Sequence, residues 1–462
     1  MTSEKKRSVR DSMGELEVDE LALYGAQTQR ALNNFPISGA RMPLEFIRAL
    51  LHIKRAASIA NAKLDCLPEE VSGAIEVACK RLLDDPNLTE HFPVDVFQTG
   101  SGTSSNMNAN EVIATLASNS SGLTINPNDH VNFGQSSNDV IPTAIHVSTF
   151  TTVTRELLPA MDELISVISL KSETLRGVCK TGRTHLMDAM PVRMDQVLNG
   201  WAAQVENAKA LISSTLAPMQ YLAIGGTAVG TGINTHPNFS AATTQILSRN
   251  LGLKFSPAKE YFSLIGSQDS AVALSGQLKT LAVALLKISN DLRWMNSGPL
   301  AGLGEISLEP LQPGSSIMPG KVNPVIPEAV AMVAAQVIGN DTAITIAGQS
   351  GNFELNVMLP LVAHNLLESI SLLGKSVPLL SKKAVATFEV NGDHLNAALH
   401  RNPILVTVLN PIIGYDKAAE IAKTAYQTNR PIIDVAEEST DLSREELLSL
   451  LDPQELTEGG IQ

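Results

Sequence analysis

The chain has 462 residues, about three times the length of a common single domain. Hydrophobic residues make up 44% and charged residues 18%, a globular composition that excludes extensive disorder. The net charge of −13 argues against a nucleic-acid coat or a polybasic membrane binder, although a small anionic substrate is compatible with it. Aromatic residues are only 4%, so the core must be aliphatic, which favours close-packed helices over sheets.

The cysteine content and the apolar runs indicate the compartment in which the protein is expected. The chain has three cysteines, and these are Cys66, Cys79 and Cys179. Their odd number and their spacing argue against a disulfide framework, a zinc site or an iron–sulfur cluster, so we expect a reducing compartment. The basic N-terminus has no apolar stretch behind it and does not resemble a signal peptide. The best candidate for a membrane span, residues 271–288, contains Lys279 and Lys287, so no transmembrane helix is expected.

Helical periodicity dominates the chain. After Pro68, four apolar residues recur at helical spacing and predict one buried face, namely Val71, Ile75, Ala78 and Leu82. Longer helices are predicted over residues 139–176, 191–221, 267–297, 324–346 and 352–380. Thirty helical residues span about 45 Å, so these segments are expected to run side by side as a bundle. Pro142, Pro159 and Pro360 are expected to bend these helices rather than end them.

The apolar surface of the long helices indicates that several copies of the chain assemble. Residues 271–288 are apolar around most of the helix circumference, and such a helix must be buried on all sides. We therefore expect other copies of the chain to complete the bundle; the alternative is a monomeric five-helix core. The predicted domains are an N-terminal helical domain (1–138), a central long-helix domain (139–391) and a small C-terminal helical domain (392–462). In the last, Ser443 and Glu446 predict a capping box for a short helix at 444–451, after another at 417–426.

Polar, Gly-rich stretches lie between the long helices. They are residues 98–108, 135–139, 182–185, 225–232 and 314–324. None is a phosphate-binding P-loop, a dinucleotide-binding turn or a serine nucleophile elbow. Backbone N–H groups and hydroxyls before a helix bind carboxylates well. Together with Lys321 and Asn323 they predict a site for a ligand with more than one carboxylate; the alternative for each stretch is ordinary capping and turn chemistry.

Three residues are candidates for catalysis. His185 is predicted in a loop before a helix opened by Pro191, and Glu328 would orient its ring if the two met. Ser315 becomes a base only if its anion is stabilised, for which Lys321, backbone amides and a helix end are available. The alternatives are a structural histidine and a flexible connector.

The stretch Gly314-Ser-Ser-Ile-Met-Pro-Gly-Lys-Val-Asn-Pro324 closely resembles the signature loop of the fumarase/aspartase superfamily. The resemblance runs from Asp11 to Lys417, and class II fumarases are the closest match within the superfamily. Aspartases typically carry Gln where His185 stands and Thr-Asn-Asp where residues 137–139 stand.

This resemblance implies a mainly α, three-domain fold whose long helices form a twenty-helix core in a homotetramer. Each active site would be assembled from three chains. The implied reaction, a step of the tricarboxylic acid cycle, is reversible trans addition of water to fumarate, giving (S)-malate without a metal or an organic cofactor. The expected location is the cytoplasm. The alternatives are an aspartate ammonia-lyase or a related lyase, and a non-catalytic protein on a lyase scaffold.

The resemblance also implies roles for single residues. Ser315 would accept the C3 proton of malate, and His185, paired with Glu328, would act on the water or hydroxyl. The substrate-binding set would be Ser101, Gly102, Thr103, Ser136, Ser137, Asn138, Thr184, Ser316, Lys321, Val322 and Asn323.

The sequence departs from class II fumarases in two places. A second anion site in that family would fall on Asn126, Pro127, Asn128 and Asp129. Asn126 stands where His is usual, and Leu123 where Arg is common, which puts this site in doubt. Leu300 also replaces a common Arg, a change without a physical account.

Overall fold

The computed structural model describes residues 5–460, and this part of the chain is mainly helical. Its helices are α1 Ala26–Asn34, α2 Leu44–Lys63, α3 Glu69–Leu83, α4 Thr103–Ser121, α5 Ser137–Thr152, α6 Leu158–Thr174, α7 Met194–Leu216, α8 Phe239–Leu251, α9 Tyr261–Gly266, α10 Asp269–Met295, α11 Val325–Gly348, α12 Leu359–Leu380, α13 Gly392–Arg401, α14 Asn410–Ile413, α15 Tyr415–Thr428, α16 Ile432–Ser439 and α17 Arg444–Leu450. Short strands form two-stranded ribbons. They are β1 Lys6–Asp11, β2 Gly14–Asp19, β3 Cys179–Thr184, β4 Met187–Arg193, β5 Tyr221–Leu222, β6 Ser256–Pro257, β7 Ile306–Ser307, β8 Gly351–Asn352, β9 Leu355–Asn356 and β10 Glu389–Val390. The mainly α fold class is confirmed.

Helix α3 has the predicted form. It begins directly after Pro68, and its buried side includes the four residues at helical spacing, Val71, Ile75, Ala78 and Leu82. Acidic Glu69 and Glu70 occupy its first turn and basic Lys80 and Arg81 its last, which complements the helix dipole.

The predicted helix over residues 139–176 is confirmed as α5 and α6, which run on through one π-helical turn, Val153–Leu157. Pro142 lies inside α5, and the helix continues past it. Pro159 follows the π-helical turn. A proline ring clashes with the carbonyl four residues earlier, and the wider turn covers that position. Both prolines therefore leave the helix unbroken, as predicted.

Two predicted helix starts are wrong. Residues 187–193 pair with β3, with Pro191 opposite Thr181, so α7 begins only at Met194. Residues 351–356 form the β8–β9 hairpin, and α12 begins at Leu359, so Pro360 lies in its first turn and bends nothing. The hairpin packs tightly against the backbone of Gly266, since a Cβ on Gly351 would lie 2.1 Å from the Gly266 carbonyl oxygen, so position 351 requires glycine. These are long-range contacts, which helical periodicity does not report.

The chain divides into two compact units. Unit 1 comprises Met1–Pro159, Lys209–Ala282 and Ala335–Gly374, and unit 2 comprises Ala160–Ala208, Val283–Ala334 and Lys375–Gln462. In unit 1, α2 packs against α3, α5 and α8, and its buried residues are mostly apolar, with Lys54, Ser58 and Asn61 among them. The division into domains at 138 and 391 stays a prediction.

Unit 2 contains the C-terminal helices, where Leu405, Leu409, Ile421 and Leu447 share one apolar cluster. Helix α17 starts at the predicted capping box, in which Ser443 and Glu446 each bond the other's backbone N–H. The three cysteines, of which Cys79 is buried, are free thiols.

Helices α10 and α11 keep much apolar surface outside the core. Among the described residues they are the two that are long and apolar enough to cross a membrane, a test that core helices also pass. Of the most apolar stretch of each, 50% is buried in α10 but only 33% in α11. Met332 on α11 is 68% exposed. A helix this apolar is stable in water only when its outer face is covered.

Candidate active site

The loop before α4 is built from interlocked polar groups. The Gln98 side-chain oxygen accepts hydrogen bonds from the backbone N–H and the hydroxyl of Ser105, both at 2.9 Å. Gly102 caps α4 with φ +73°, and a Cβ there would lie 2.9 Å from the Ile141 side chain, so only glycine fits. The hydroxyls of Ser101 and Thr103 are 2.8 Å apart at the helix end. The structure therefore brings together the predicted residues Ser101, Gly102 and Thr103.

The N-terminus of α5 holds three more predicted residues, Ser136, Ser137 and Asn138. Ser136 accepts a hydrogen bond from the backbone N–H of Asn138 and takes part in a capping box with Asp139. The Asn138 amide donates to the carbonyl of Ala228 at 2.8 Å. Ser137 is buried and is the first residue of α5, at the positive end of the helix dipole.

Asp139 joins this helix end to the Gly-rich loop at residues 225–232. Its carboxylate accepts the backbone N–H groups of Ser136, Gly225 and Thr227, each at 2.9 Å. Burial dominates and raises the pKa of Asp139 to about 6, while these three donors oppose the shift. Gly225 has φ +99° and leaves no room for a Cβ beside Ser240. Asp139 thus holds two predicted polar stretches together.

His185 lies at the tip of the β3–β4 hairpin rather than in a loop before a helix, which corrects the sequence prediction. Thr184 pairs with Met187, so His185 and Leu186 form a two-residue turn, with φ values of +55° and +62°. Turns of this kind prefer Asn and Gly, and a β-hairpin with His-Leu there carries backbone strain. The His185 side chain is exposed at the tip of the hairpin.

The base of this hairpin is tied down by a buried ion triad. Lys180 Nζ lies 3.0 Å and Arg183 Nη1 2.7 Å from the two carboxylate oxygens of Glu305. The Glu305 side chain is only 3% exposed. Burial lowers the pKa of Lys180, and Glu305 opposes that shift. The triad fixes the position of the strand that leads to Thr184 and His185.

In the loop at residues 314–324, the hydroxyl oxygen of Ser315 accepts hydrogen bonds from two backbone N–H groups. Ser315 Oγ accepts the N–H of Ile317 at 3.2 Å and of Met318 at 3.1 Å. These two donors are the backbone amides predicted to stabilise its anion. Gly314 closes the loop, since its N–H donates to the carbonyl of Lys321 at 2.9 Å. A Cβ on Gly314 would lie 2.2 Å from that same oxygen.

Lys321 is not a partner of Ser315 in the single chain. Its Nζ donates to Asn323 Oδ1 at 2.7 Å, while the Asn323 amide donates to the carbonyl of Gly314 at 2.6 Å. Lys321, Val322 and Asn323 line a cleft of about 790 Å³ that also contains Glu328. Ser316 is exposed on the same loop.

His185 and Glu328 form no hydrogen bond or ion pair with each other within residues 5–460 of one chain. The pairing therefore stays a prediction. Both side chains keep solvent access, with His185 exposed and Glu328 half-buried in its cleft.

In the region of the predicted second anion site, backbone N–H groups are hydrogen-bonded within the segment itself. Asn126 Oδ1 accepts the backbone N–H of Asn128 at 2.8 Å and of Asp129 at 2.9 Å. Pro127 has no N–H to offer. The Asn126 N–H donates to His130 Nδ1 at 3.0 Å. The donors an anion would need here are thus already bonded, and Leu300, 98% exposed, has no contact that explains its replacement of Arg.

Sequence reasoning missed Lys54, Asp139 as a buried anchor, and Glu305. Glu305 follows a Gly-rich turn, and Asp139 is the third helical residue after Ser136, a capping-box spacing that could have pointed to it. Lys54 stands directly before Arg55 on α2, a helix with several basic residues, so no local signal marks it as the buried one.

Residues 14–339 match the protein family described as "Lyase", and residues 405–458 match the family described as "Fumarase C C-terminus". A class II fumarate hydratase of Pseudomonas aeruginosa is 66% identical over 98% of this chain and 99% of its own. One from Xylella fastidiosa is 58% identical over 99% and 97%.

Two solved structures are also similar. A class II fumarase from Schistosoma mansoni superposes with a TM-score of 0.95 at 37% identity, covering 98% of this chain and 99% of that one. A fumarate lyase:delta crystallin from Brucella melitensis, bound to cobalt, gives 0.92 at 40% identity, covering 98% and 100%. The fold and family thus define a lyase. The chain belongs to the class II fumarate hydratases, which are hydro-lyases.

Within residues 5–460, no three His, Cys, Asp or Glu side chains are grouped in a way that could hold a metal ion.

Proposed function

We propose that this fumarate hydratase interconverts fumarate and (S)-malate by proton removal at Ser315 and acid–base chemistry at His185, through an aci-carboxylate intermediate. The observation that carries the proposal is Ser315 Oγ, which receives two backbone N–H groups at 3.2 and 3.1 Å. A serine is a poor base unless its anion is stabilised, and paired amides are suited to that task.

In the malate direction, Ser315 takes the C3 proton and the C3–H electron pair moves into the adjacent carboxylate. The aci-carboxylate that forms carries two negative charges on its oxygens. Preorganised donors stabilise such charge, and the ends of α4 and α5 offer them through Thr103, Ser137 and Asn138, with Ser101, Gly102 and Ser136 beside them. Lys321, Val322 and Asn323 are proposed to bind the other carboxylate, and Thr184 and Ser316 to complete the set.

The second step breaks the C2–O bond. His185, as imidazolium, donates its proton to the departing hydroxyl, which leaves as water while the intermediate collapses to fumarate. Glu328 is proposed to orient the ring and favour its protonated form. In the reverse direction neutral His185 takes a proton from water, so one residue serves both directions.

We further propose a homotetramer in which three chains contribute to each site. Three observations support it. Helix α11 has only a third of its apolar stretch buried, and Leu186 at the hairpin tip is 69% exposed. The third is that His185 and Glu328 do not pair within a single chain. Residues from different copies meeting at one site would cover the apolar surfaces and complete the pair together.

We place the enzyme in the cytoplasm as part of the tricarboxylic acid cycle. Its three cysteines are free thiols, which suits a reducing compartment. Its substrates, fumarate and malate, are small water-soluble dicarboxylates that require no membrane. We propose no metal or organic cofactor, and a second anion site at residues 126–129 only as a weak one.

The test is loss of fumarate ultraviolet absorbance with malate identified as the product. Production of ammonia from aspartate without malate from fumarate would favour an ammonia-lyase instead. Dicarboxylate binding without turnover of either substrate would favour a non-catalytic protein. Activity that disappears with a chelator would contradict the cofactor-free mechanism.

A further inference from the structure

Lys54 on α2 is a fully buried lysine that the mechanism above does not use. Its Nζ donates to Asn132 Oδ1 at 2.9 Å and to Gln135 Oε1 at 3.0 Å. Both partners are neutral amide oxygens. Within the described part of the chain, the lysine thus has hydrogen-bond partners but no directly bonded carboxylate. Burying such a cation is costly, so a compensating function is expected.

An ammonium group has only donors, and this fixes the orientation of its neighbours. Asn132 must turn its oxygen toward Lys54. That oxygen also receives the amide nitrogens of Asn106 and Asn110, each at 3.2 Å. If Asn106 turned over, its oxygen would face the oxygen of Asn132. Lys54 therefore determines which atom of Asn106 points inward.

The consequence reaches the proposed substrate site. The same Asn106 nitrogen donates to Ser137 Oγ at 3.0 Å. Because Ser137 accepts this bond, its own hydroxyl proton remains available to donate elsewhere. A carboxylate is an acceptor only, so it needs that proton. A chain of four polar residues therefore runs from the lysine to the N-terminus of α5.

The positive charge of Lys54 also favours binding of a carboxylate at the N-terminus of α5. Burial lowers the pKa of Lys54 to about 7, while the nearby Asp139 carboxylate and, less strongly, Cys79 favour the charged form. The Asp139 carboxylate is engaged by three backbone N–H groups rather than by the lysine. A second negative charge bound at the α5 N-terminus would favour the ammonium further.

We propose that Lys54 is a positioning residue for the substrate: its buried ammonium makes Ser137 a hydrogen-bond donor and adds positive potential where α5 receives a carboxylate. This inference rests on the proposed function, in which the α5 N-terminus binds the dicarboxylate. It predicts that dicarboxylate binding and protonation of Lys54 are coupled.

The experiment compares the full-length enzyme with its Lys54→Met and Lys54→Gln variants, using Lys63→Met, an exposed lysine on the same helix, as the control. Succinate is the probe because it has both carboxylates and no double bond to hydrate. We expect its Kd and the KM for fumarate to rise roughly 10- to 100-fold in both Lys54 variants, from the loss of charge-assisted hydrogen bonding. The kcat should fall less, and the thermal midpoint should stay the same or rise. Lys63→Met should match the wild type.

The pH dependence distinguishes this role from a merely structural one. In the wild type, succinate affinity should fall as pH rises through about 7, with proton uptake on binding measured calorimetrically in buffers of different ionisation enthalpy. The His185→Asn variant should still take up protons on binding succinate, because Lys54 is present. The Lys54→Met variant should lose the proton uptake that is due to Lys54.

A folded Lys54→Met variant that binds succinate as tightly as the wild type would overturn the proposal. If both Lys54 variants fail to fold, the His185→Asn enzyme decides, because absence of proton uptake there overturns the role equally. Fumarate turnover by the wild type tests the proposed function separately. If the wild type hydrates fumarate but binds succinate no more tightly than Lys54→Met does, only the role of Lys54 is removed. If the wild type neither hydrates fumarate nor binds succinate, the proposed function and the role of Lys54 are both wrong.

Discussion

The helix ends of unit 1 and the loops of unit 2 are organised in opposite ways. At the N-termini of α4 and α5, Ser101, Ser137 and Asp139 are buried, and each is bonded to neighbours in its own unit. In unit 2, His185 and Lys321 are exposed, and Ile317 beside Ser315 is 83% exposed. The proposed carboxylate-binding groups at the ends of α4 and α5 are thus held in place within unit 1, whereas the proposed acid–base residue His185 and the loop that carries Ser315 and Lys321 lie at the exposed surface of unit 2.

In the proposed mechanism, the two units therefore have different functions: unit 1 stabilises charge and unit 2 carries out acid–base chemistry. Charge stabilisation depends on donors that do not move, and burial supplies that rigidity. Acid–base groups must reach substrate bound elsewhere, and exposed hairpin and loop tips can enter a site on another copy.

Ser315→Ala should lower turnover by about 10³-fold or more, because it removes the base and leaves the amides of Ile317 and Met318 without an acceptor. The thermal midpoint should not change, since the loop is exposed. Steady-state fumarate hydration and a thermal melt measure both. Ser449→Ala, at an exposed serine on α17, is the control and should keep full activity. Near-normal turnover in Ser315→Ala would remove this serine from the mechanism.

Mixing two inactive variants, Ser315→Ala and His185→Asn, should restore activity after their subunits are exchanged. If the two residues of a site come from different chains, random mixing leaves about a quarter of the sites intact. Activity is measured after denaturation and joint refolding, with each parent refolded alone as the control. No recovery from correctly assembled mixtures would place both residues of each site on one chain.

Glu305→Gln should destabilise the protein by about 3–5 kcal/mol, because buried Lys180 and partly buried Arg183 would lose the only carboxylate with which both form ion pairs within residues 5–460. Glu438→Gln removes the partner of Arg430 at the surface and is the matched control. Because solvent screens that exposed pair, its loss should hardly change stability. Denaturant unfolding measures both, and equal losses would show that burial of the triad adds nothing.

Lys54 should make stability depend on pH. Its pKa is about 7 in the folded protein and 10.5 when exposed, so the unfolded chain binds the extra proton between these values. The cost of burying the charge is full below pH 7 and declines as pH rises, giving a gain of up to about 1.4 kcal/mol per pH unit above 7. Unfolding of the wild type against Lys54→Met between pH 7 and 9 isolates this slope. Parallel pH profiles would mean that Lys54 stays fully charged.

Much of the site lay within reach of sequence reasoning, because its signals are local. The glycine-closed loop around Ser315 and the hydroxyls before α5 each occupy a few neighbouring positions, as does the capping box at Ser443 outside the site. The hairpin at His185 was missed because Pro191 is typical of a helix start. In the fold it faces Thr181 across a ribbon instead.

Periodicity and motifs depend on adjacent positions, so the amino-acid order alone was enough to predict the helical class, most of the extent of the long helices and the residues of the signature loop. Tertiary packing alone brings Glu305 to Lys180 and Arg183, over 100 residues away, and Lys54 to Asn132 and Gln135, which lie 78 and 81 positions further along the chain. Such contacts form when helices pack, and the burial that makes them strong exists only then. Local pattern therefore locates the chemistry, and packing decides which groups carry charge, which donate and which accept.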